Sequence, residues 1–174
     1  AYSGCYKIAV FMTIFIQAFR LGAEPFFFNH SKEKNAKETY ARIMKYFVIF
    51  GSAMLIFIIA YLDIFKVLIV RDESYWIAID IVPIVLLANL CLGIYFNLAI
   101  WYKLTDKTLF GMYLSLVGAA ITIVFNVVMI EKIGFIAAAW ATLLAYGIMM
   151  IASYVLGQKF YPVPYSLKSI LGYL

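Results

Sequence analysis

The 174-residue chain is 66% hydrophobic and 13% charged, with a mean hydropathy of +0.96 and a formal net charge of +5. Ordinary globular chains hold about 45–50% apolar residues, and a chain of this length folded in water has too little interior for the excess. A soluble fold is excluded, and an all-α, polytopic membrane bundle is expected. The positive charge needs no nucleic-acid partner, because its placement follows a membrane topology.

The first predicted span covers about residues 5–28. Its run Ile8–Leu21 is apolar apart from Thr13, Gln17 and Arg20, and Glu24 and Pro25 follow before three phenylalanines. Tyr6, Thr13, Gln17, Arg20 and Glu24 recur at spacings of seven, four, three and four, which places them on one helix face. At 1.5 Å per residue the span is about 35 Å long, with Arg20 about 12 Å and Glu24 about 6 Å from its far end. An unpaired arginine at the bilayer centre costs about 2.5–3.5 kcal/mol on insertion scales. The i, i+4 spacing lets Glu24 pair with Arg20. Such a stripe faces protein or a water-filled cavity: it is either an interhelical hydrogen-bond seam ending in an ion pair, or the lining of a substrate path.

Residues 29–45 form the one long polar link. Asn29 and Ser31 are candidate N-caps, and the good helix formers after them extend the second span (about 44–62) by a solvated, basic turn or two. The charge run reads as a solvated face, and His30, the only histidine, as a surface residue. Asp63–Val70 continues past the second span and is expected along the membrane surface.

The third span (about 77–101) carries Asn89, Gly93 and Asn97 at i+4 intervals, again one face. Asp80 and Pro83 sit at its start. Proline there can open a backbone gap, although Asp80 reads first as an interface marker. The fourth span (about 108–130) aligns Gly111, Ser115, Gly118, Thr122 and Asn126. The fifth (about 134–158) aligns Gly134, Ala138, Ala141 and Ala145. Small residues of this kind let helices approach closely. The short links LTDK and EKIG predict antiparallel neighbours in a compact bundle.

Arg20, Lys32, Lys34, Lys37, Arg42, Lys45, Lys103, Lys107, Lys159 and Lys168 fall on one side, against Lys7, Lys66, Arg71 and Lys132 on the other. Ten against four places the 29–45 link, the LTDK link and the tail in the cytoplasm. Tyr75 with Trp76, and Trp101 with Tyr102, mark the two interfaces as an aromatic belt. The first residue lies outside, so an odd number of spans is expected before it if the natural N-terminus is cytoplasmic. The chain reads as a fragment that opens directly on a spanning pattern, without a signal peptide, and a further helix is expected to start near 165–174.

No nucleophile–histidine pairing, phosphate loop or metal-ligand spacing is present in the sequence. Cys5 and Cys91 read as small apolar residues in helices. The reading is therefore of a non-enzyme that needs no cofactor or metal.

Three runs, YKIAVFMTIFIQAFRLGAEPFFF, IVPIVLLANLCLGIYFNLAIWYKLTDKT and AAWATLLAYGIMMIASYVLGQKFYPVPY, resemble the C-terminal half of bacterial polysaccharide flippases. The resemblance is to the lipopolysaccharide or O-antigen exporters of the Bacteroidetes type, within the multidrug/oligosaccharidyl-lipid/polysaccharide exporter superfamily, and it covers nearly the whole chain. It implies a two-lobe fold of twelve to fourteen helices around a cavity that opens alternately to either side. The five spans would be the eighth to twelfth, in a bacterial inner membrane, and their partner would be the missing N-terminal lobe of the same chain. The implied substrate is a lipid-linked oligosaccharide on a polyprenyl diphosphate, moved from the cytoplasmic to the outer leaflet among the membrane lipids. Arg20 would attract the diphosphate, Glu24 would hold Arg20, and Gln17, Asn89 and Asn97 would meet sugar hydroxyls. Two other readings stand beside it. One is a cation-coupled drug or metabolite antiporter of the same fold, with Asp80 or Glu24 as the coupling acid. The other is a non-transporting scaffold subunit, with the polar stripes buried in helix contacts.

Overall fold

The computed structural model describes residues 2–69 and 79–165. In hydrocarbon no water satisfies a peptide group, so long apolar runs must close their hydrogen bonds internally. The described residues accordingly form helices: α1 (Tyr2–His30), α2 (Ala36–Ala60), α3 (Leu62–Ile69), α4 (Val82–Leu98), α5 (Ile100–Leu104), α6 (Leu109–Ile133) and α7 (Ile136–Phe160). Only Ala99 separates α4 from α5. Five spans, Lys7–His30, Ala36–Ala60, Ile79–Leu104, Leu109–Ile133 and Ile136–Phe160, are long and apolar enough to cross a membrane. The chain is a multi-pass, all-helical membrane protein, with no strand among the described residues.

The span boundaries match expectation to within a helical turn, except that α2 already starts at Ala36. Its early turns are not wholly solvated, since Ala36 and Tyr40 are buried. The link works differently from the capping expected of Asn29 and Ser31. The Ser31 hydroxyl donates to the Phe28 carbonyl (2.7 Å), closing α1, and Asn35 holds the N-cap position of α2 without a side-chain bond. His30 closes α1 too: its Nδ1 meets the Phe26 carbonyl at 2.9 Å, and its ring stacks on Phe26. The buried Tyr40 hydroxyl donates to the Phe27 carbonyl (2.8 Å), which ties α2 to the end of α1.

α4 is the central helix and packs against α1, α2 and α7. One core joins α1, α2 and α4 through Ile8, Met12, Ile16, Phe47, Leu86 and Leu90. A second joins α5, α6 and α7 around Trp101, Tyr102, Leu114 and Met149. The LTDK link does not make its two spans neighbours along their length, as its shortness suggested. α6 meets α5 near its start, where Phe110 packs on Trp101, and then lies along α7. α7 packs on both α4 and α6 because its small residues Ala137, Ala141 and Ala145, all buried, permit close approach. Gly134 is not part of that packing face. It forms the α6–α7 turn at φ 60°, ψ −140°, a conformation that glycine alone adopts readily.

Pro83 lies in the first turn of α4, where its missing N–H would have had no helical partner. It therefore opens no gap in the span. Asp80 is exposed just before it. α3 is a separate helix whose Phe65 packs on Phe11 and Phe57. Tyr75, Trp76, Arg71, Lys168 and the helix expected beyond Tyr165 lie outside the described residues, as do the side chains of Cys5 and Tyr6.

Candidate functional site

Arg20 and Glu24 stand one turn apart on α1, and the expected pair is made: Arg20 Nε donates to Glu24 Oε1 at 2.9 Å. A third charge joins them from α5. Lys103 Nζ donates to the same Glu24 oxygen at 2.5 Å. Two cations therefore share one carboxylate oxygen, and the cluster carries a formal charge of +1. The Arg20 guanidinium also lies over the Phe96 ring of α4, 4.6 Å from its centroid. A cation on an aromatic face is held by the ring quadrupole, so Glu24 of α1 and Phe96 of α4 together hold the arginine.

The cluster is only partly enclosed, with side-chain exposures of 37% for Arg20, 31% for Glu24 and 27% for Lys103. On its inner side is a narrow cleft between α1 and α4, lined by Phe19, Phe27, Phe47, Gly93, Phe96 and Asn97 besides Arg20 and Glu24. Its free space, about 10 Å³, suffices for about one water. On the outer side an open concavity of about 500 Å³ is lined by Gln17, Arg20, Leu21, Glu24, Pro25 and Phe28. Gln17 is exposed at this outer face.

The expected polar residues thus divide. Gln17 shares the outer concavity with Arg20 and Glu24, and Asn97 shares the inner cleft with them. Asn97 is 4% exposed, and its Nδ2 donates to the Gly93 carbonyl (3.2 Å) of its own helix. Its Oδ1 is buried with no hydrogen-bond partner among the described residues. Asn89 is not brought to the cluster. Its Nδ2 faces α1 farther along, 3.4 Å from the Thr13 hydroxyl and 3.5 Å from the Ala9 carbonyl. The α1 stripe therefore divides: Thr13 lies in a seam with Asn89, and Gln17, Arg20 and Glu24 border open surface.

The polar stripe on α6 turns inward on its own helix. Thr122 bonds the Gly118 carbonyl and Asn126 the Thr122 carbonyl, each at 2.9 Å. Ser115 is exposed. Among the described residues no group of three or more His, Cys, Asp or Glu side chains is arranged to hold a metal.

Lys103 was not expected in the site. At the end of a span, beside Trp101 and Tyr102, it reads as one more cation of the positive-inside count. The signal available was depth: α1 and α4–α5 run parallel, so residues 24 and 103, each near the C-terminal end of its span, come to the same level.

No protein family, curated protein or solved structure gives a significant match to this chain.

Proposed function

We propose that this chain forms part of the C-terminal lobe of a polysaccharide or O-antigen flippase, and that it moves a polyprenyl-diphosphate-linked oligosaccharide from the cytoplasmic to the outer leaflet of a bacterial inner membrane. One observation carries the reading: among the described residues Arg20 hydrogen-bonds protein through Nε alone. Both of its Nη groups are without a partner among the described residues, in a cluster of charge +1 that borders a 500 Å³ concavity. A guanidinium edge is a planar, two-toothed donor that matches phosphate oxygens. A diphosphate cannot cross hydrocarbon without such a partner. Glu24 and Phe96 hold the guanidinium in place, so little side-chain entropy remains to be lost when a phosphate docks. Gln17 beside it offers both a donor and an acceptor to sugar hydroxyls. The resemblance of the three sequence runs supports the same substrate class.

An antiporter reading finds less support. It needs a membrane-embedded acid free to exchange a proton or cation, whereas Asp80 is exposed ahead of α4 and Glu24 is bonded by two cations.

The deciding experiment is native mass spectrometry of the protein, extracted gently from its own membrane. The expected result is a co-purified polyprenyl diphosphate oligosaccharide that is lost in Arg20→Ala. Recovery of bulk phospholipid alone, the same in both proteins, would sink the proposal and leave Arg20 a structural role.

A further inference from the structure

Because two cations share one carboxylate oxygen, the charge that an approaching anion meets at Arg20 depends on a residue it does not reach. Arg20 and Glu24 by themselves sum to zero. Lys103 brings the cluster to +1. Lys103 lines neither the inner cleft nor the outer concavity, and it is the least exposed of the three side chains. The wall of the concavity is made by α1 residues, whereas Lys103 comes from α5.

We infer that Lys103 sets the charge of the site from behind. It neutralises Glu24 without touching the ligand, and Arg20 then offers its Nη edge as an uncompensated cation to a prenyl diphosphate. This deepens the proposed function and rests on it. Glu24 has two tasks that conflict: it must hold Arg20 by Nε, yet its own charge repels a diphosphate. Lys103 removes the conflict, because the carboxylate can keep the guanidinium oriented while its field is cancelled on the far side. The ligand class that benefits is anionic and phosphate-bearing; a neutral sugar would gain nothing from Lys103.

The test is binding of farnesyl diphosphate to the purified protein in neutral-lipid nanodiscs, for the native chain, Lys103→Met, Lys103→Arg, Glu24→Gln and the double variant Glu24→Gln/Lys103→Met. Lys103→Met takes the cluster to zero and is expected to weaken binding about tenfold, equivalent to about 1.4 kcal/mol. Lys103→Arg retains binding. The double variant returns the cluster to +1 with no cation at position 103, and is expected to regain the affinity that Lys103→Met loses. Glu24→Gln alone, at +2, is expected to bind more tightly than the native chain. Should Lys103→Met fail to fold, Lys103→Gln makes the same change of charge with a polar side chain, and the same loss of about tenfold is expected of it. Unchanged binding in Lys103→Met, no recovery in the double variant, or no gain in Glu24→Gln would each overturn the inference. The outcomes separate the two claims: failure of the native chain to bind farnesyl diphosphate defeats the flippase reading itself, whereas native binding that ignores these charges defeats only the role of Lys103.

Discussion

The Asn89 side-chain amide of α4 reaches the Thr13 hydroxyl of α1 at 3.4 Å, and Thr13 donates in turn to the Ala9 carbonyl at 3.4 Å. These are long bonds in an otherwise apolar seam of Met12, Ile16, Leu86 and Leu90. Interhelical polar contacts in membrane proteins contribute about 0.6 kcal/mol on average. Asn89→Leu, close in size and apolar, is therefore expected to change stability by less than about 1 kcal/mol and to leave glycolipid retention intact. Thermal unfolding in detergent, with the lipid count from native mass spectrometry, checks both. A loss of lipid at unchanged stability would move Asn89 into the binding surface.

Gly93 is the close-approach point between α4 and its neighbours. A Cβ built there would lie 2.4 Å from Phe47 Cζ and 3.2 Å from Ile16 Cγ1. Phe47 cannot easily swing away, because its ring packs against Phe15 and Phe19, with centroids 5.8 and 4.6 Å distant. Overpacking of this kind typically costs about 1–3 kcal/mol, so Gly93→Ala should lower the unfolding temperature. Adding Phe47→Leu, which removes the clashing ring edge, should recover part of the loss. Gly93 also lines the cleft behind Arg20, so the added methyl would intrude on it. A Gly93→Ala protein as stable as the native chain would show that the α1–α4 seam relaxes freely.

Two glycines on the other side of the bundle separate the substitution from its surroundings. A Cβ on Gly118 would meet Met149 Sδ at 2.3 Å, and one on Gly157 would meet Trp101 Cδ1 at 2.9 Å. The shorter contact is the milder one. Methionine is unbranched and re-packs readily, whereas Trp101 is held by its Nε1–H bond to the Ser153 carbonyl (3.2 Å) and by stacking on Phe160. Gly118→Ala should cost under about 1 kcal/mol and Gly157→Ala about 1–3 kcal/mol. Parallel thermal melts of the two variants test the ranking, and equal losses would contradict it.

The helices and their ends were legible because each span is a run too long and too apolar for water, bounded by charge or by a short polar link. Their neighbours were not. Link length reports that two helices are joined, but the buried alanines of α7 decide which surfaces come together, and they draw α7 against both α4 and α6. The site was half legible for the same reason. Arg20 and Glu24 lie on one helix, so their spacing alone sets the contact. Lys103 is distant in sequence, and its contact depends on how α5 is set against α1. Asn89 and Asn97 share one face of α4 by spacing, yet that face crosses α1 along its length, so one asparagine meets the seam and the other the cleft.

The segment after α7 carries a pH dependence. Tyr161 follows α7, with the Lys37 ammonium 4.6 Å from its ring centroid, and Tyr165 packs against Tyr154. Burial raises the phenol pKa of both above the ordinary 10.0, and neighbouring tyrosines add to the rise at Tyr165. A phenol whose folded pKa exceeds its unfolded value contributes its full share of stability below pH 10 and loses it as the pH climbs toward the folded value. Unfolding temperature should therefore hold steady up to about pH 9.5 and then fall. Lysines titrate in the same range, so the native curve alone does not isolate the tyrosines. The double variant Tyr161→Phe/Tyr165→Phe removes both phenols while keeping the rings, and should flatten the decline above pH 10. An unchanged decline in that variant would show that the two phenols do not carry the alkaline loss.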